Sequence, residues 1–294
     1  MTTEALQGKK CFITGAASGI GRATAVACAA RGAELLLTDI NADGLAETVA
    51  AIQAAGGRVL ASRALDVADF DAVRAFAEDI HATFGSVDIV MNVAGISVWG
   101  AVEDLEHRHW RKAVEVDLMG PIHVIESFVP RVIKAGKGGT LVNVSSAAGL
   151  FGLPAHAAYS AAKFGLRGIS EVLRFDLEPH GIHVCLVCPG AVDTGLVETV
   201  ELVGVVPSKP ELARLREHFR RRSVTPEVAA AAILRGIERK QYLVFTSRDV
   251  KIGHFFQTKF PFLYERAMRR RNEALRRAAE PFRSSDVVLT EEGV

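Results

Sequence analysis

Thr14-Gly15-Ala16-Ala17-Ser18-Gly19-Ile20-Gly21 joins a short apolar run, Lys10–Thr14 (KCFIT), to a small-residue helical pattern over Ile20–Arg31. Glycines at such a junction let backbone N–H groups approach a pyrophosphate, which sits at the positive N-terminal end of the helix. Gly15 suits the tight turn, Gly19 the close approach and Gly21 the packing of helix on strand; Ser18 and Ile20 belong to the same cradle. No Gly-Lys-Ser/Thr follows, so this is not a Walker-type phosphate loop. Its position between a strand and a helix is the context such a motif requires.

The same alternation continues outward. Leu35–Asp39 (LLLTD), Val59–Ala64, Val87–Asn92 (VDIVMN), Thr140–Val144 (TLVNV) and His183–Cys188 (HVCLVC) read as strands. Between them lie helical patterns over Asp43–Ala55, Asp69–Phe84, Leu105–Ile133 and Ala158–Glu178, with Pro121 either kinking the third or marking a limit of it. Short, nearly continuous apolar strands separated by helices predict an α/β fold, a parallel sheet covered on both faces and doubly wound by right-handed crossovers. Beyond Pro189 the pattern loosens. Thr225-Pro226-Glu227 then opens a helix over Pro226–Arg239, and Tyr242–Thr246 (YLVFT) is a last strand. No linker separates a second domain, so residues 1–250 are expected to form one domain and residues 251–294 a basic, aromatic, helical extension.

The chain has 294 residues, 49% apolar and 23% charged, which is ordinary globular usage. It has no run of about 18 apolar residues, so no spanning helix is expected. The opening MTTEALQGKK lacks a secretory layout, and four cysteines are too few for a disulfide scaffold. These features predict a soluble, cytoplasmic protein. The net charge of +1 conceals an asymmetry: residues 209–283 hold 19 Lys and Arg against 8 Asp and Glu.

Asp39 ends the second strand, 18 residues after Gly21. A carboxylate there can accept both hydroxyls of an adenosine ribose and repels a 2′-phosphate, so NAD(H) is expected over NADP(H). Ser145-Ser146 ends a strand, and Tyr159-Ser-Ala-Ala-Lys163 heads the next helix, where residues four apart share a face. A phenol is a poor base at neutral pH, and a nearby cation favours the phenolate. Lys163 is therefore expected to make Tyr159 a usable acid/base, with Ser146 bonding the substrate oxygen.

Taken together, these motifs resemble the short-chain dehydrogenase/reductase family between about residues 8 and 246. The elements are TGAASGIG (Thr14–Gly21), Asp39, Asp66-Val67, Asn92-Val-Ala-Gly95, Ser146, Tyr159-x-x-x-Lys163, and Pro189-Gly190 with Thr194. The resemblance implies a Rossmann-type, seven-stranded parallel sheet and assembly as a homodimer or homotetramer. It makes Tyr159 the proton donor and acceptor, has Lys163 also bind the nicotinamide ribose, and has Ser146 polarise the carbonyl. It places Asp66 and Val67 against adenine, and Asn92, Ala94 and Gly95 along the cofactor. It sets Val187, Pro189, Gly190, Val192 and Thr194 around the nicotinamide. One departure concerns the long helix, where the family usually has asparagine and this chain has Asp117. In the family that residue supports a water joining the lysine to solvent. Two readings stay open: aspartate keeps that geometry as a member of the catalytic set, or its charge pairs with Lys163 and weakens the cation's effect on Tyr159.

The remaining features are weaker. Cys185 and Cys188 form C-x-x-C, but within a strand they face opposite sides, and His107 and His109 do not face each other on a helix, so no metal is expected. His156, three residues before Tyr159, is a candidate for the substrate entrance, although an exposed loop imidazole is the commoner reading. The apolar stretch Leu196–Val206 suggests a lid and a hydrophobic substrate such as a steroid, retinoid or long-chain lipid. The aromatics and arginines of residues 252–277 suit a peripheral membrane contact, against which stands packing within the protein or between subunits. Nucleic acid is not an expected partner. The leading expectation is an NAD(H)-dependent oxidoreductase that interconverts a secondary alcohol and a ketone. The rival is a catalytically silent dinucleotide sensor or scaffold, favoured only by Asp117.

Overall fold

The structure, a computed structural model, describes residues 6–195, 200–205, 213–214, 217, 219–221 and 223–279. Its centre is a parallel seven-stranded sheet built from β1 (Lys10–Thr14), β2 (Glu34–Asp39), β3 (Arg58–Ala64), β4 (Ile89–Asn92), β6 (Gly139–Val144), β7 (Ile182–Cys188) and β9 (Leu243–Phe245), in the order 3-2-1-4-6-7-9. The doubly wound sheet expected from the sequence is therefore present. Two further strands, β5 (Val98–Trp99) and β8 (Glu201–Leu202), pair in parallel outside it.

Alternation within the strands builds a core on each face. Cys11, Ile13, Leu35, Leu37, Met91, Val142 and Val187 point to one side, where they pack with α1 (Gly19–Ala29) and α7 (Pro226–Glu238). Phe12, Leu36, Val90, Leu141 and Val184 point to the other. There Phe12 stacks on Phe128 of α5 (Gly120–Ala135) at 4.1 Å and meets Phe76 of α3 (Phe70–Phe84) edge-on at 6.2 Å. Helix starts follow local chemistry: Asn41 caps α2 (Ala42–Ala54), Asp69 caps α3 and Thr225, with Pro226 after it, caps α7.

The helix expected over Leu105–Ile133 is interrupted next to Pro121, where a kink is one of the two readings. It divides into α4 (His107–Val114), a π turn (Glu115–Met119) and α5. Pro121 is the physical reason, because it has no N–H for the carbonyl of Asp117 four residues earlier. The proline sits at the start of α5, where its missing donor costs nothing further. After α6 (Ala157–Asp176), β7 and β9, the chain ends its described part in α8 (Arg248–Lys259) and α9 (Pro261–Ala279). The strand order reverses between β1 and β4, and ligands of such sheets bind beyond the carboxyl ends of the strands at that point.

Candidate active site

The glycine turn occupies that switch point. Gly15 has φ +71°, and a Cβ there would lie 2.8 Å from the Ala94 backbone, so the loops after β1 and β4 meet at their closest approach. A Cβ on Gly21 would stand 1.9 Å from the Gly15 carbonyl oxygen, which is the helix-on-turn packing expected of it. Thr14 Oγ1 accepts from the N–H groups of Val93 and Ala94 at 3.0 Å each, locking the two loops together. The N-cap of α1, Ser18, makes no side-chain capping bond, and the first turn carries no acidic residue. Its free amides, with Ile20 behind them, suit the phosphates of a dinucleotide.

Asp39 follows on the same rim. Its Oδ2 accepts from Ala17 N–H and its Oδ1 from Asn41 N–H, both at 2.9 Å, which aims the carboxylate along the glycine turn. Asp66 shapes the turn after β3 by accepting from Ala68 N–H at 2.9 Å. Val67 is buried against Gly120 at the head of α5. Asn92 donates through its side chain to Asn143 at 2.9 Å, and Asn143 donates to Ser170, so this amide ties β4 to β6. Across the crevice, Thr194 reaches Gly19, whose Cβ would lie 3.0 Å from its side chain. Val192 bridges to Val224, the carbonyl of Pro189 accepts from Ala147 N–H at 2.8 Å, and Gly190 lies close to Val250. Val187 does not reach the crevice: its side chain is wholly buried in the core.

Tyr159, Lys163 and Asp117 come together as one buried group, with the half-buried Ser146 beside them. The Ser146 hydroxyl, which accepts from Ala148 N–H at 3.1 Å, lies near enough to the Tyr159 phenol to lower its pKa. Lys163 Nζ lies 5.6 Å from the centre of the Tyr159 ring, 3.2 Å from Asp117 Oδ1 and 3.2 Å from the Val144 carbonyl, to which it donates. Asp117 Oδ1 also accepts from Ile96 N–H at 3.0 Å, and a Cβ on Gly95 would sit 2.6 Å from that oxygen. Asp117 Oδ2 is buried without a hydrogen-bond partner among the described residues. The ion pair with Lys163 that the second reading of Asp117 requires is therefore present.

The electrostatics correct one expectation. Burial raises the Tyr159 pKa; Lys163 pulls it down, as expected, but Asp117 pushes it up, and the net direction is upward. Burial works against the Lys163 ammonium, yet Asp117 and Tyr159 outweigh it and hold the cation charged. Burial pushes the Asp117 carboxyl up, while Lys163 and the Ile96 amide pull it back. Removing the Asp117 charge therefore takes away a contribution that raises Tyr159. In Asp117→Asn, the limb of a pH–rate profile that depends on ionised Tyr159 is expected at lower pH than in the wild type; an unmoved limb refutes the coupling.

On the open side of Tyr159 lies an aromatic wall that sequence reasoning missed. Trp99 of β5 packs on His156 at 4.9 Å and on Phe219 at 6.2 Å, and His156 stands 6.4 Å from Tyr159. His156 is half-buried rather than an exposed loop imidazole; its Nδ1 donates to the Pro154 carbonyl at 2.7 Å, and burial lowers its pKa, leaving Nε2 an acceptor. Trp99 is held by β8, whose Glu201 accepts from Lys112 at 2.8 Å and lies 3.3 Å from the buried His109. A two-residue strand has no periodicity to read, so only the tryptophan itself hinted at this wall. Residues 196–199 and 206 of the expected lid lie outside the described residues. Cys185 and Cys188 are buried, and desolvation pushes both thiols up to about 12.

With this geometry in place, comparison with known proteins is direct. The chain matches the short chain dehydrogenase family over residues 9–202. The chain belongs to this family of oxidoreductases. It is 38% identical to the SadH protein of Mycobacterium tuberculosis over 249 residues, 83% of this chain and 88% of that protein. It is 40% identical to D-threitol dehydrogenase of Mycolicibacterium smegmatis over 193 residues, 65% of this chain and 73% of that protein. Among solved structures, a short chain dehydrogenase/reductase from Burkholderia phymatum in complex with NAD superposes with a TM-score of 0.79 at 27% identity, covering 90% of this chain and 96% of that one.

Proposed function

We propose that the protein is an NAD(H)-dependent dehydrogenase that interconverts a secondary alcohol and a ketone on a hydrophobic substrate. The buried Tyr159 and Lys163, with the half-buried Ser146 beside them, carry this reading. NAD, when bound, supplies or takes the hydride. In the oxidative direction Tyr159 accepts the hydroxyl proton while the C–H hydride leaves; in the reductive direction the phenol returns the proton to the carbonyl oxygen. Ser146 holds that oxygen, and Lys163 keeps its positive charge beside the phenol.

NAD is preferred to NADP because Asp39 points its carboxylate along the turn, and the NAD complex of the Burkholderia relative supports the choice. A relative named for the dehydrogenation of threitol supports CH–OH chemistry. The Trp99, His156 and Phe219 wall supports an apolar substrate body, with His156 Nε2 free to accept one hydrogen bond. An exposed row on α6, Phe164, Val172 and Phe175, supports assembly through helix packing as a dimer or tetramer. A silent dinucleotide sensor is the second reading, favoured by the Asp117–Lys163 pair.

The test measures NADH and NADPH affinity and then turnover over a panel of hydrophobic alcohols and ketones. NADH is expected to bind about tenfold or more tightly than NADPH, an energy within the reach of one charge contact. Tighter NADPH binding overturns the role of Asp39. Cofactor binding without turnover across the panel favours the sensor.

A further inference from the structure

Helices α8 and α9 present a surface that the proposed reaction does not use. Ile252, Phe255 and Phe256 share one face of α8 and are 55%, 54% and 42% exposed. Phe260, at the corner between the helices, packs its ring 6.2 Å from Phe255 and 5.7 Å from Phe256. Phe262 and Leu263 extend this apolar knuckle into α9 and are also exposed. Of the α9 side chains with described burial, only Tyr264 and Met268 are even half-buried. Residues 248–279 carry nine Lys and Arg against three Asp and Glu.

A contiguous apolar surface of this kind calls for a partner, and charge decides which. A second copy meeting it through a twofold axis would set this basic segment against itself. An anionic bilayer answers both features: phenylalanines enter the headgroup boundary while lysines and arginines meet phosphate. Position adds a second argument. The Tyr264 hydroxyl donates to the Gly152 carbonyl at 2.7 Å, the Arg271 guanidinium lies close enough to His156 to lower its pKa, and Arg276 lies 3.9 Å from Glu103. Helix α9 therefore runs along the loops that flank the Trp99–His156 wall. Among the described residues no helix is long and apolar enough to cross a membrane.

We propose that the α8–α9 corner is a peripheral binding surface for anionic phospholipid bilayers, seated by the Phe255–Phe256–Phe260 knuckle. Docking there sets the substrate-side loops at the lipid boundary, a placement that rests on the substrate side assigned above. Binding itself is independent of that assignment.

The experiment uses the full chain and needs no turnover. Sedimentation with vesicles of phosphatidylcholine containing about 30% phosphatidylglycerol is compared with pure phosphatidylcholine, for the wild type and for Phe255→Ser/Phe256→Ser. The wild type is expected to pellet with the anionic vesicles only, and the exposed double variant to lose about tenfold in partitioning at unchanged Tm. Sedimentation velocity without lipid is expected to give the same oligomeric state for both. Failure to pellet with anionic vesicles, or equal pelleting of the variant, overturns the proposal. A smaller oligomer in the variant also overturns it and makes the knuckle a subunit interface. NADH affinity, measured on the same samples, reports on the dinucleotide site separately.

Discussion

Tyr159→Phe is expected to lower kcat by about 10²–10⁴-fold, the usual worth of a positioned general acid/base. The phenol is buried, with the Ser146 hydroxyl on one side and the Lys163 ammonium beneath its ring. The His156 imidazole is an alternative proton carrier, but its ring centre is 6.4 Å from that of Tyr159 and its Nδ1 proton is committed to Pro154. Phenylalanine keeps the ring and its packing, so NADH affinity should stay within about twofold and the fold should persist. Equal turnover in the variant would refute the assignment of Tyr159, whatever the substrate proves to be.

Lys163→Met is expected to cost stability as well as rate. Asp117 is wholly enclosed, and Lys163 is its only cationic partner within 4 Å among the described residues. Removing one member of a buried pair strands the other, at about 3–5 kcal/mol. The remaining carboxyl must stay charged in an apolar setting or take up a proton, and either is unfavourable. For a chain of this size that corresponds to a Tm lower by on the order of 10 °C. Adding Asp117→Asn should recover most of the loss, because the amide oxygen can still accept from Ile96 N–H while no charge is left behind. Activity should not return with stability, since the cation beside Tyr159 is still missing. A single variant as stable as the wild type would show that the pair contributes nothing to folding.

Much of the site was legible because its parts are local. The glycine turn lies between one strand and one helix, and Tyr159 and Lys163 lie one helical turn apart, so spacing alone places them together. The sheet was legible for a related reason: Leu35–Leu37 and Cys11–Ile13 are apolar at every position, a pattern that only burial on both faces explains. What escaped depends on distance in the chain. A kink at Pro121 could be read, but not its π form, and the β5–β8 pair joins residues about a hundred positions apart through two-residue strands. The upward shift of Tyr159 needed the depth of burial and the orientation of Asp117, and neither can be read from spacing.

The strand order has a consequence for how the chain comes together. The first strand lies inside the finished sheet, third of seven, so when β1, β2 and β3 have paired, one side of β1 still shows its open ladder. That edge waits for Ile89–Met91, and the crevice waits longer, for Ser146, Tyr159 and finally Thr194. During synthesis the half-built sheet must therefore keep Cys11–Ile13 from pairing with a neighbouring nascent chain. Such contacts between distant segments form slowly, which makes the nucleotide crevice among the last features to mature.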